Sequence, residues 1–445
     1  VANWNKDDLA YDNQSTRFEV MMVANSSGVI FDKFPIDGTV SVTLGGTPGA
    51  NGYNSNPSTD AFGRLRVSNP FTLFDNNFRY SDNSFNWDES ITGTANSTYN
   101  SSEGVVDLYT GTANNDEIIR ETQKVLGYQP GKSLLVLNTF QMGEPKTNLR
   151  QRIGYFGAEN GVYIQREGNN CSVVMRTSVS GSTVNKEIAQ ANWNIDPMDG
   201  TGPSGQVLNL DKSQIFWSDF EWLGVGSVRT GFVINGLFCP VHVFHHANSG
   251  NTTYMTTASL PIRYEIKNTG VTSSNSILKQ ICTSVISEGG YNKKTVTRSI
   301  TTALTGRSLS QVTNKPLISI RLKSDRLDEI VLPSVADFYG LQQAAFKYSI
   351  ISGGTVGGGS WVSAGAESGI EYNVTADTIT GGIILAEGIF VGDNKGGASR
   401  INLTEQNHSY QLRRKLDGTA QPFTICALAT TNNDTAVGSL SWEEH

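Results

Sequence analysis

Trp217, Asp219 and Glu221 alternate along the run IFWSDFEWLGV, so they share one face if that run is a strand. An aromatic ring beside two carboxylates suits a saccharide, whose apolar face stacks on the ring while its hydroxyls donate to the carboxylates. Two carboxylates are also the minimum for glycoside hydrolysis. Residues two apart on a strand lie roughly 6–7 Å apart at Cα, compatible with the carboxyl separation of about 5–5.5 Å of a retaining pair. The same face serves equally as an ordinary solvent-facing or interface strand.

β-Sandwich glycosidases place a Glu four positions ahead of their second Glu. Here that position is Trp217, so the acid and nucleophile pair is missing and the chain is expected not to be an enzyme. A second cluster is LFCPVHVFHH, which carries His242, His245 and His246, three of the five histidines. Strict alternation puts Phe238, His242, Phe244 and His246 on one face and Leu237, Cys239, Val241 and Val243 on the other. The second of these is core. The first packs on another layer, meets another subunit or lines a groove. His242 and His246 stand roughly 13 Å apart along an extended strand, too far to share one metal ion through bonds of about 2 Å, and no metal ligand set is assigned.

GYQPGKS, from Gly127 to Ser133, superficially resembles a phosphate-binding loop. It is one residue short between Gly127 and Gly-Lys-Ser, and LLVLNTF after it is a strand, so no helix N-terminus awaits a phosphate. It reads as a Pro-Gly turn. Cys171, Cys239, Cys282 and Cys426 show no CxxC spacing and read as free thiols. No cofactor is expected.

The elements that would position these groups are strands. Asn235-Gly236 separates two runs rich in β-branched and aromatic residues, the mark of a two-residue hairpin. Strand-like runs recur at intervals of about ten residues from Asp60 onward, with turn residues between them. Charged residues make up only 17% of the chain and the difference is filled by Gly, Ser, Thr and Asn, which suits many short strands and turns. The expected fold is all-β: an antiparallel β-sandwich of jelly-roll or lectin-like type, a second smaller C-terminal β-sandwich and an extended N-terminal arm. The expected boundaries are 1–60 for the arm and linker, 61–303 for the main sandwich, which YNKKTVTRSITT closes, and 304–445 for the second. SVADFYGL reads as one short helical turn. A net charge of -7 gives no electrostatic footprint for nucleic acid, and no apolar run of about 18 residues predicts a membrane span. The first residues lack the charge and apolar pattern of a signal peptide.

DAFGRLRVS (Asp60 to Ser68), PFTLFD (Pro70 to Asp75), IIRET (Ile118 to Thr122) and YQPGKSLLVLNTF (Tyr128 to Phe140) form a familiar set with four further strings. These are LRQRIGYFG (Leu149 to Gly157), FHHAN (Phe244 to Asn248), YMTTASLPIRYEI (Tyr254 to Ile266) and ISEGG (Ile286 to Gly290). Together they resemble virion structural proteins of tailed bacteriophages, notably those of marine bacteria, over roughly residues 60–290. The resemblance implies a virion location and a structural role, as a tail fibre or baseplate-type appendage or as a capsid decoration. It implies copies of the chain itself and other virion proteins as partners, and it brings no catalytic signature. Cyclic homo-oligomers are the default for such parts, with Trp222, Phe238 and Phe244 as expected subunit contacts. The alternatives are a module recognising host-surface glycan through the Trp217, Asp219, Glu221 face and, further off, a polysaccharide-degrading enzyme.

Overall fold

Asn235 and Gly236 both adopt positive φ, 51° and 78°, the conformation that a two-residue hairpin turn requires and that these two residue types tolerate. The computed structural model describes residues 59–60, 66, 69–292, 295–392, 398–403 and 410–445. The expected N-terminal arm lies outside the described residues apart from Thr59 and Asp60.

The first sandwich starts with β1 (Phe71–Asn77), β2 (Trp87–Thr92), β3 (Asn96–Asn100), β4 (Val105–Thr110) and β5 (Glu117–Thr122). It continues with β6 (Ser133–Gln141), β7 (Leu149–Phe156), β8 (Gly161–Glu167), β9 (Asn170–Thr177) and β10 (Val184–Ala189). It ends with β11 (Gln214–Phe220), β12 (Val228–Ile234), β13 (Leu237–Phe244), β14 (Ile262–Asn268) and β15 (Ser276–Glu288). One sheet runs β13-β12-β11-β6-β15-β4-β3, with β1 also paired to β15, and the other runs β10-β9-β8-β7-β14-β5-β2. All these pairings are antiparallel, and strands far apart in the chain lie side by side at the centre of each sheet, as β6 does with β15 and β7 with β14. This is an antiparallel β-sandwich of the jelly-roll, lectin-like kind.

Alternation supplies the core. On β11 Phe216 and Phe220 point between the sheets and meet Ile153 and Tyr155 of β7 and Tyr264 of β14, all fully buried. Trp87 lies 6.0–6.3 Å from Phe74, Phe78 and Tyr264, ring centre to ring centre. Each such side chain contributes roughly 1.5–3 kcal/mol by leaving water.

A smaller sandwich follows. One of its sheets joins Val296–Thr301, Thr435–Glu444, Val331–Gly340 and Ser399–Asn402 in that order, and the other centres on Lys315–Leu322, Phe423–Ala429 and Ala345–Ser352. Both sandwiches belong to one compact unit. Two expectations are corrected here. Val296–Thr301 pairs with Thr435–Glu444, so the strand expected to close the first sandwich at 303 opens the second, and the boundary moves back ahead of Val296. SVADFYGL is not a helical turn but part of the strand Val331–Gly340, because pairing on both sides, to Thr435–Glu444 and to Ser399–Asn402, outweighs its weak local preference.

Candidate functional site

β11 does place Trp217 and Asp219 on the outer face of its sheet, but neither is open to solvent. The Trp217 indole is 2% exposed, packs 5.5 Å from the Phe238 ring and donates its Nε1–H to the Phe232 carbonyl at 3.2 Å. Gly231 on β12 makes room for it, since a Cβ there would stand 2.7 Å from the indole. Asp219 has no exposed surface. Its Oδ2 accepts from Arg66 Nη2 and Arg229 Nη2, each at 2.5 Å, and its Oδ1 accepts from the Ser133 hydroxyl. Arg66 also donates to Glu288 at 2.5 Å, and Arg229 to the Thr59 carbonyl at 2.6 Å. The carboxylate read from sequence as a sugar acceptor is thus the centre of a buried ion network. Glu221 lies just past the strand end and accepts from the Ser227 N–H at 3.3 Å. Partial burial, reinforced by Asp60 and Asp219, pushes its carboxyl above the usual range, while Ser227 and Arg229 oppose the shift.

The imidazole face differs from simple alternation. Thr230 pairs with His242 but its neighbour Gly231 pairs with Pro240, which leaves Val241 as the extra residue of a bulge. Proline has no N–H for the ladder and favours such a site. Beyond the bulge the parity inverts, so His242 and Phe244 turn inward while Phe238 stays outside against Trp217. Phe244 is 2% exposed and belongs to the core, so it does not form the open subunit contact expected from alternation, while Phe238 stays half-buried on the outer face against Trp217. Trp222 packs edge-on against Tyr128 at 6.0 Å. His246 stacks on Tyr254 at 4.0 Å, with its Nδ1 2.7 Å from the Gly226 carbonyl.

His242 is 6% exposed and its Nδ1 accepts from the Asn194 backbone N–H at 3.3 Å, an arrangement that requires an unprotonated Nδ1. Burial, then the nearby Lys186 and His245, lowers its pKa from 6.5 to about 4. The unfolded chain therefore binds a proton near pH 6.5 that the native state refuses, and stability falls as pH drops from there toward 4. The depression corresponds to about 3 kcal/mol when fully developed. Urea unfolding at pH 7 and pH 4.5 is expected to show most of that loss, and His242→Gln to reduce it. His245 and His246 are depressed in the same direction by burial, so the residual slope in the variant measures them. An unchanged slope in His242→Gln contradicts the assignment.

The two sandwiches meet through the hairpin strand Arg413–Arg414. Arg414 binds Glu121 of β5 at 3.0 Å and Asp328 at 3.2 Å, and Glu121 also binds Arg263 of β14 at 2.5 Å. The Arg413 guanidinium lies 3.9 Å over the Phe85 ring and donates to the Phe85 carbonyl and, at 2.5 Å, to Ser352 Oγ. Val125 from the first sandwich packs on Ile330 and Leu332 from the second. Beside this junction opens a cleft of about 600 Å³. Tyr128, Gln129 and Lys132 form one wall, Tyr291 and Asn292 the back, and Asp328, Ile330 and His445 the other wall. GYQPGKS is the turn expected, with Gly131 at φ 85°, yet it lines this cleft. The sequence reading missed the site because its parts are scattered from 128 to 445 and only domain docking assembles them. All four cysteines are free, and burial pushes the Cys171 and Cys426 thiols up to about 12.

No family model and no curated protein matches the chain. Among solved structures it is similar to a glycoside hydrolase family protein from Mycobacterium thermorestibile, at 8% identity over 48% of this chain and 99% of that one, with a TM-score of 0.34. It is similar to peanut lectin at 12% identity over 49% and 98% of the two chains, with a TM-score of 0.28. It spans 48% of an engineered GH43 glycoside hydrolase, and 62% of its own length is matched, at 15% identity and a TM-score of 0.30. Similarity at this level carries no substrate or activity across.

Proposed function

We propose that this chain is a structural subunit of a tailed-bacteriophage particle, a part of a tail appendage or a capsid decoration, that holds its neighbours and catalyses no reaction. The observation that supports this reading is where the charged side chains of the phage-like strings go. Arg66 of DAFGRLRVS reaches Glu288 of ISEGG, and Glu121 of IIRET binds Arg263 of the string that ends in PIRYEI. Arg263 in turn lies 5.4 Å over Phe156 of LRQRIGYFG. Strings scattered over more than 200 positions thus meet in ion pairs and stacked rings, one set on each sheet of the sandwich, as a shared architecture needs and a shared active site does not.

Self-association falls to the strand Ile383–Val391, which among the described residues pairs on one side only, with Ala345–Ser352. Ile383, Ile384, Ile389 and Val391 are 49–76% exposed there, and an apolar edge of this kind is a template for another strand. Antiparallel pairing of two copies about Glu387 would set Ile389 against Leu385 and Val391 against Ile383. Lys347, 2.6 Å from Glu387 of its own copy, offsets the central like-charge pair.

Light scattering is expected to show a multimer for the native chain and a monomer for the double variant Ile389→Lys, Val391→Lys. Antibodies against the chain are expected to decorate one location on intact particles in immunogold images. Unlabelled particles would remove the assignment.

A further inference from the structure

We propose that the cleft between the sandwiches binds the end of a neutral oligosaccharide. Its walls are pinned before any ligand arrives. Gln129 grips Asn292 through its carboxamide, donating to the Asn292 carbonyl and accepting from the Asn292 N–H at 2.8 Å. Lys132 Nζ donates to the Gly290 carbonyl at 2.9 Å, and the Tyr128 hydroxyl accepts from the Trp222 N–H at 3.0 Å. On the far wall the His445 N–H donates to the Ile330 carbonyl at 3.0 Å and Asp328 is held by Arg414. Little ordering entropy is left for a ligand to overcome.

Three polar groups in this rigid frame have no hydrogen-bond partner among the described residues: the Tyr291 hydroxyl, the Asn292 carboxamide and the second oxygen of Asp328. They mix donors with acceptors, and the planar amide and carboxylate each match adjacent hydroxyls of a sugar ring. Beside them the rings of Tyr291 and His445, 5.8 Å apart, and Phe71 stacked 5.7 Å behind Tyr291 supply the apolar surface that the C–H face of a pyranose needs. A volume of about 600 Å³ lies within the range of roughly 300–1,000 Å³ typical of small-ligand sites, and domain junctions are among their usual locations. The free oxygen of Asp328 disfavours sialylated, sulfated or uronic-acid sugars, so the class is neutral.

This inference stands apart from the particle assignment, since a glycan cleft does not require a virion and a virion part does not require a glycan. Its test is an array of neutral, sialylated and sulfated glycans probed with the full chain, followed by titration calorimetry of the best neutral binder. Tyr291→Phe and Asn292→Ala are each expected to weaken binding at least tenfold with unchanged melting, and Glu221→Gln, on the face first suspected from sequence, to leave it unaltered. Absence of binding, preference for anionic glycans, or full affinity in both cleft variants overturns the proposal.

Discussion

Asp219→Asn is expected to destabilise the chain by about 3–5 kcal/mol, the loss typical of stripping one partner from a buried ion pair. The substitution keeps the shape of the side chain and removes only its charge. Two guanidiniums converge on Oδ2 from 2.5 Å, and Arg229 is itself only 4% exposed. Glu288 still serves Arg66 in the variant, which offsets part of the cost. Urea denaturation of the purified variant measures it, and a change below about 1 kcal/mol would mean that the network is solvated like a surface pair.

Glu121→Gln carries the second large effect, because this carboxylate, 1% exposed, serves a partner in each sandwich. Losing its charge removes the one carboxylate in direct contact with Arg263 among the described residues and leaves only the more distant Glu265 to balance it, again about 3–5 kcal/mol for the first sandwich. It also removes one of the ties that hold Arg414. Calorimetry is expected to show one transition in the native chain and two in the variant, since small domains melt together only while their interface holds. A single unshifted transition in the variant would show that the Arg413 contacts and the Val125, Ile330, Leu332 cluster suffice.

Much of this architecture was legible from local pattern. The Asn235-Gly236 turn and the alternation along β11 are local properties, set by positive φ and by the pleat. The parity of His242 and Phe244 was misjudged because a bulge inverts every side chain after it, although Pro240 inside the run was the available sign. The domain boundary was misplaced for another reason: Val296–Thr301 has the composition of any strand, and its partner lies at the far end of the chain. Trp217 and Asp219 share the expected face, but which outer face receives arginines depends on where Arg66 travels, and no periodicity records that. The cleft was invisible for the same cause, being built from two sandwiches that meet through Arg413 and Arg414.

One consequence concerns synthesis. Thr435–Glu444 is flanked by Val296–Thr301 on one side and Val331–Gly340 on the other, so the sheet has a gap at its middle until that segment has left the ribosome. At about 5–20 residues per second, Val296–Thr301 waits on the order of ten seconds for its neighbour, with its edge open to other nascent chains. Truncations that stop short of Thr435 would leave the same gap for good, and such products should aggregate or be degraded even though the first sandwich has already closed.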